Sequence, residues 1–428
     1  MDKRRLGSGG GVFRSAAVAT LMCLLAACGG GDDSGPQERT IRVDFSHDEF
    51  PSYFLSYFPR EVTLRPGDTA VFRQTWTGEP HSVTMGTMVD DLMKLVEPYI
   101  EGAAKGEPIP EEEPPEVAEA QEQLPFMFGE EINAVSQNAA QPCYLDSGAP
   151  PMDPNTACPK QSQPDFNGQQ SYYNSGFIPY EGSAGNEFRV PLADDISDGT
   201  YFYYCNYHGP LMSGKIKVVG EGESIPSQDE VNKAARDEIE KQAAPLREEF
   251  EKAEKGTVDV PPDQADIFRN AGFLKPGSNR FQGNLSGLYV DDDSVMGGIN
   301  GFIPKELTVR TGEKVKWVNL GLHTISFNVP EYFPVISVEE DGKVVYNPQV
   351  ISPAGGVPEH PGPFDFEGPP PEEPLRIDGG TWDGEGFYST GLIGWDPFVE
   401  FTMAFSNDGT YKYACLIHPP MTGTVVVR

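Results

Sequence analysis

Two short segments of the sequence each gather a thiol, an imidazole and a thioether: Cys205-Asn206-Tyr207-His208-Gly209-Pro210-Leu211-Met212 and Cys415-Leu416-Ile417-His418-Pro419-Pro420-Met421. Each follows an aromatic run that reads as a strand and leads into a second β-forming run, over 214–219 and 423–427. Strand alternation puts Cys205 on one face with Tyr203 and Tyr201, and Cys415 with Tyr413 and Tyr411. The loop can then turn its histidine back towards the cysteine while the methionine starts the next strand. One more strong ligand is available upstream in each half, His81 in Pro80-His81-Ser82-Val83 and His323 in Leu322-His323-Thr324-Ile325. Structural zinc takes four strong ligands in a closed tetrahedron. Two imidazoles, one thiolate and a weak thioether instead suit copper in both of its oxidation states, and the chemistry of such a set is single-electron exchange.

The elements that must position these groups come from an internal repeat. Phe58-Pro59-Arg60-Glu61-Val62-Thr63-Leu64-Arg65-Pro66-Gly67-Asp68 matches Ile303-Pro304-Lys305-Glu306-Leu307-Thr308-Val309-Arg310-Thr311-Gly312-Glu313. Each copy predicts a strand, a tight turn carrying Gly, and a second strand, over 69–74 and 314–319. Ser175-Gly176-Phe177-Ile178 echoes Thr390-Gly391-Leu392-Ile393, and the run from Asp198 to Cys205 echoes that from Asp408 to Cys415. Short strands rich in Val, Thr, Tyr and Phe predict antiparallel sandwiches rather than βαβ units. Between the copies, Val231, Ala235 and Ile239 recur at spacing four and predict a helix over 228–255, which Pro245 should break or kink. Its narrow apolar stripe suits lying against one or both sandwiches. In each copy a large insertion separates the early histidine from the late cysteine. The first contains a predicted helix over 88–99 and an acidic, Pro-rich run over 107–119; the second, 348–374, is Pro-rich and reads as loop.

On these residues the chain resembles the plastocyanin/azurin family of blue copper proteins, the cupredoxins. The resemblance implies an all-β fold of two Greek-key cupredoxin β-sandwiches joined by a helical linker, with large loop insertions. It also implies one mononuclear type 1 copper per domain, bound by His81, Cys205, His208 and Met212 in the first and by His323, Cys415, His418 and Met421 in the second. The first loop has one residue more before its methionine than the second. In such a site the pocket is apolar, and the histidine of the late loop lies near the surface as the electron exit. The expected function is extracytoplasmic electron transfer without enzymatic turnover. The competing expectation is copper binding for storage, delivery or sensing. The chain has six histidines, and two such sites leave only His47 and His360, which read as surface residues. That is too few for the copper clusters of multicopper oxidases or nitrite reductases, so a reductase role would need another subunit. Met85, Met88 and Met93 near His81 read as packing rather than as a further Cu(I) site.

The N terminus carries Lys3, Arg4, Arg5 and Arg14, then an apolar stretch over 16–27 that is too short to span a bilayer. It ends in Leu25-Ala26-Ala27-Cys28, which resembles a bacterial lipoprotein signal with Cys28 as the lipidated residue. The expected organisation is therefore a signal peptide over 1–27, a tether over 28–40, a first domain over 41–220, a helical linker over 221–280 and a second domain over 281–428. Location is then outside the cytoplasm, with membrane contact through the N-terminal lipid. In an exported chain, Cys143 and Cys158 within one polar segment are expected to form a disulfide. Asp291-Asp292-Asp293 reads as a solvated acidic turn. The net charge of -33 excludes nonspecific binding to nucleic acid and favours a redox protein partner with a basic docking surface.

Overall fold

The computed structural model describes residues 35–428 apart from 109, 111–112, 126–134, 160, 179–185, 257–265, 267, 279, 290–295, 364–372 and 395–398. Both copies of the repeat form the expected pair of strands, Glu61–Leu64 with Thr69–Gln74 and Glu306–Val309 with Lys314–Asn319. The turns between them share one construction. Gly67 and Gly312 sit at φ 80° and 77°, where an L side chain is strained. One residue later a carboxylate, Asp68 or Glu313, accepts from the backbone N–H of Arg65 or Arg310 at 2.8 and 2.9 Å.

The fold is mostly β-sheet. In the first half, one sheet runs in the order Tyr57–Phe58, Glu38–Val43, Thr69–Gln74, Glu187–Pro191. A second runs Glu61–Leu64, Gly209–Val218, Gly199–Cys205, Thr84–Met85, Tyr172–Asn174, Cys143–Leu145. In the second half, the order is Leu375–Trp382, Val399–Phe405, Lys314–Asn319, Asn284–Tyr289, Gly297–Ile303 in one sheet. It is Glu306–Val309, Thr422–Val427, Gly409–Ala414, Ser326–Phe327, Tyr388–Ser389 in the other. The sheets are mixed rather than antiparallel throughout. Glu38–Val43 runs parallel to Thr69–Gln74, and Glu306–Val309 parallel to Thr422–Val427. The reason is that the chain leaves the first sheet, adds a strand to the facing sheet and returns in its original direction, which a hairpin alphabet does not anticipate.

Aromatic side chains fill the space between facing sheets. Tyr203 meets Tyr57 and Phe72 at ring separations of 4.9 and 4.8 Å, and Trp317 meets Phe401 and Tyr413 at 5.6 Å each. The two halves are not independent. Ser52–Phe54, from the first half, pairs with Gly297–Ile303 and becomes the edge of the second half's sheet. The helix Gln228–Glu254 opens with a capping box between Ser227 and Glu230 and continues through Pro245 without ending. Its buried stripe includes Ala235, Ile239, Ala243 and Leu246, packed with Phe54 and Phe58 from the first half and Ile299 and Val318 from the second. Of the expected break or kink, the break does not occur: buried residues on both sides of Pro245 hold the helix across the missing N–H.

The predicted insertion helix is present as Thr87–Ala103, burying Val89, Leu92, Met93 and Val96 against the sheet that contains the Cys205 strand. Cys143 and Cys158 form a disulfide with Cα atoms 5.5 Å apart. Met85 and Met93 are fully buried packing residues. The second insertion is largely loop where described, with the short helix Pro348–Ile351. No helix among the described residues is long and apolar enough to cross a membrane. Cys28 and Asp291-Asp292-Asp293 lie outside the described residues.

Candidate metal centres

Each early histidine is fixed by the echoed segment noted in the sequence. His81 makes an isolated bridge with Ile178, and His323 one with Ile393. These bridges hold the histidine backbones at the ends of the strands that bring in the cysteines. Cys205 closes the strand Gly199–Cys205, where a register shift after Tyr204 opens the turn that carries His208. Cys415 follows Gly409–Ala414, and its N–H donates to the Met421 carbonyl at 3.0 Å, while the Met421 N–H donates to the His418 carbonyl at 2.9 Å. The loop is thereby folded back on itself.

In the first cluster, Cys205 Sγ lies 3.5 Å from His208 Nδ1 and 4.0 Å from His81 Nδ1. In the second, Cys415 Sγ lies 3.4 Å from His418 Nδ1, which is 3.0 Å from His323 Nδ1. Within each set one donor atom per residue falls inside 4.8 Å of the others. The residue after each early histidine orients the sulfur. The Ser82 N–H donates to Cys205 Sγ at 3.4 Å, and its Oγ accepts from Asn206 N–H at 2.8 Å. Thr324 repeats both contacts with Cys415 Sγ, at 3.3 Å, and Leu416 N–H, at 2.8 Å. Ser82 and Thr324 stood in the sequence repeat as hydroxyl residues following the histidine, a signal that could have found them.

Two carboxylates complete the surroundings, and sequence reasoning missed both. Asp44 Oδ2 lies 3.1 Å from His81 Nε2, with both side chains fully buried. Glu79 Oε1 lies 3.4 Å from His418 Nε2. Each faces Nε2, the ring nitrogen turned away from the sulfur, and so holds the ring with Nδ1 directed inward. No local pattern marks either residue, since each is brought in from a different part of the chain.

Electrostatics favour the ligand form of the sulfur. Burial works to raise both thiols, yet the neighbouring histidines outweigh it: His208 and His81 hold Cys205, and His418 and His323 hold Cys415, well below the usual thiol range. Burial lowers His81, but the Asp44 and Cys205 contacts overcome it and lift the imidazole to about 9. The same opposition at His418, with Cys415 and then Glu79 prevailing over burial, also gives about 9. At His323 burial prevails over the Cys415 contact and lowers the imidazole below its ordinary value.

Donor types and spacing fit one metal ion per cluster. Separations of 3.0 to 4.0 Å between donors leave room for an ion whose bonds to imidazole and thiolate run roughly 2.0 to 2.3 Å. Two nitrogens and one thiolate, with no fourth strong ligand in either group among the described residues, match the copper preference over the zinc one. Met212 and Met421 are fully buried on the loops that leave each cluster. His418 departs from expectation: only 2% of it is exposed, whereas His208 is half-buried. Residues of the first half, Gly78 and Glu79, lie against the His418 ring, so this histidine is not at the surface as expected. His47 and His360 are engaged rather than free on the surface. His47 stacks on Phe50 and lies 3.2 Å from Glu240, and His360 Nε2 lies 2.7 Å from the Thr390 carbonyl.

No family model matches the chain, and no curated protein matches it. Among solved structures it is similar to a purple cupredoxin from Nitrosopumilus maritimus, at 18% identity over 30% of this chain and 83% of that one, with a TM-score of 0.15. It is also similar to amicyanin from Paracoccus versutus, at 16% identity over 37% and 88% of the two chains, TM-score 0.17. Reduced auracyanin from Roseiflexus castenholzii shares 15% identity over 43% of this chain and 98% of its own, TM-score 0.18. Scores this low fix nothing about the clusters, whose character rests on their own side chains.

Proposed function

We propose that the protein is a blue copper electron carrier of cupredoxin type with one mononuclear copper at each His-Cys-His cluster. The observation that carries this reading is the duplicated convergence of one thiolate and two inward-facing imidazole nitrogens in a buried pocket. Copper bound there supplies a single-electron couple between Cu(I) and Cu(II). His81, Cys205 and His208 would hold one ion, and His323, Cys415 and His418 the other, with the thioethers of Met212 and Met421 as further weak donors. The protein's own contribution is rigidity. Backbone N–H groups of Ser82 and Thr324 fix the sulfurs, and Asp44 and Glu79 fix ring orientation, so little rearrangement accompanies a change of charge. Burial of all three ligands of the second cluster favours electron carriage over metal delivery there, because a delivered ion needs an open ligand face.

Export and a lipid anchor on Cys28 belong to the same proposal, as do the two-domain division and the absence of substrate turnover. The excess acidity suits brief docking to a basic redox partner, at a rate that falls as salt is raised. Visible absorption of the copper-loaded protein, read beside Cys205→Ser and Cys415→Ser, tests the assignment. Each substitution should remove one of two thiolate-to-copper bands and leave the other. Protein that stays colourless after Cu(II) loading under oxidising conditions overturns it.

A further inference from the structure

The second cluster is covered by a segment of the first half. Gly78 lies so close to His418 that a Cβ built on it would stand 2.1 Å from the ring's Cδ2 and 2.3 Å from the Ile417 carbonyl oxygen. Its φ of +116° is one that L side chains rarely adopt, so glycine is required there on both counts. The next residue, Glu79, puts Oε1 against His418 Nε2, and the same oxygen accepts from Asn300 Nδ2 at 3.3 Å. Gln74 Nε2 donates to the Glu79 carbonyl at 2.9 Å, fixing the backbone as well. Two residues further on stands His81, a member of the first cluster. The 3.4 Å contact of the Glu79 carboxylate with His418 and the main chain of Glu79-Pro80-His81 therefore join an imidazole of one cluster to an imidazole of the other. His208, in contrast, keeps part of its surface open.

Resting on the blue copper reading, we propose that Gly78–Glu79–Pro80 is an internal docking segment, occupying on His418 the place an external redox partner would need. Outside partners exchange electrons at His208, and the second centre communicates through Glu79 and His81 with the first. In each internal transfer one centre is oxidised as the other is reduced, by one electron, and no covalent bond is made or broken. Glu79 is a positioning residue in this scheme: it holds His418 and forms the link.

The test has a metal-free arm and a loaded arm. In copper-free protein, hydrogen exchange at the imidazole C2 position, read by mass spectrometry, should be slow at His418 and fast at His208. Glu79→Ala should speed exchange at His418 by about tenfold, whereas Glu79→Gln, which keeps an acceptor oxygen, should change it little. Equal exchange at the two histidines in the unsubstituted protein overturns the covering role. In loaded protein that shows both absorption bands, one-electron reduction by a pulse followed at the two bands reports redistribution between centres. Glu79→Ala should slow that redistribution by about tenfold, with Glu79→Gln near the parent rate. Cys205→Ser, which removes the first centre, should slow reduction of the second by a bulky reductant to a similar degree. Unchanged rates in both variants overturn the linkage while leaving the copper assignment intact. Absence of both bands would instead defeat the copper assignment itself.

Discussion

Asp44 and Gly287 occupy the same place in the two halves, each following the residue whose partner ends the central strand: Val43 opposite Gln74, and Ser286 opposite Asn319. Both have positive φ, 63° and 86°. In the first half the position supplies a buried carboxylate to His81. In the second, a Cβ at Gly287 would stand 2.6 Å from His323 Nε2, and the carboxylate reaches the other histidine, His418, from Glu79. A carboxylate on a ligating imidazole makes it more basic and favours the more highly charged ion. Asp44→Asn should therefore weaken the hold on Cu(II) by about tenfold and raise the potential of the first centre by about 60 mV, leaving the second centre where it was. Spectroelectrochemical titration at the two bands checks this, and a fall in potential would contradict it. The cysteines, histidines and methionines were legible because they sit on repeated motifs. Asp44 was not, because it meets His81 only through a contact between residues 37 apart, with no pattern joining them.

At the scale of elements, the repeat made the framework readable. Thr69–Gln74 and Lys314–Asn319 were legible from their β-forming residues and flanking Gly turns, whereas local propensity at Pro245 left open a break that the buried neighbours on both sides prevent. The insertion helix Thr87–Ala103 carries a titratable contact of its own. Asp90 Oδ1, in its first turn, accepts from the Phe202 N–H at 2.8 Å on the strand that ends at Cys205. Burial raises its carboxyl to about 6, the Phe202 bond opposing only in part. An unfolded chain releases that proton near 4, so between about 4 and 6 the folded state holds more protons. Stability from this group accordingly falls as pH rises through that window. Asp90→Asn, which keeps the acceptor oxygen, should stabilise the copper-free protein at pH 7.5 by on the order of 1 kcal/mol and lose the advantage near pH 4. Urea titrations at the two pH values decide it; the same difference at both would contradict the buried carboxyl.

In the molecule as a whole, two similar halves have been made unequal by how they face one another. Ser52–Phe54 lends an edge to the second half's sheet, the helix Gln228–Glu254 packs on both halves, and Glu79 closes the second cluster. The packing of the helix was foreshadowed by its narrow apolar stripe, but the strand exchange and the closure by Glu79 were not visible in the sequence, because a strand of three residues has too little pattern to place and because the burial of His418 depends on the approach of a distant loop. What was visible, a twofold set of copper-type ligands, is the claim on which the functional reading stands. Anomalous X-ray scattering at the copper edge from crystals of the loaded protein tests it most directly. Two peaks are expected, one within bonding reach of Cys205 Sγ and the Nδ1 atoms of His81 and His208, the other of Cys415 Sγ and the Nδ1 atoms of His323 and His418. Copper found only on surface carboxylates, with both cysteine clusters empty, would contradict it.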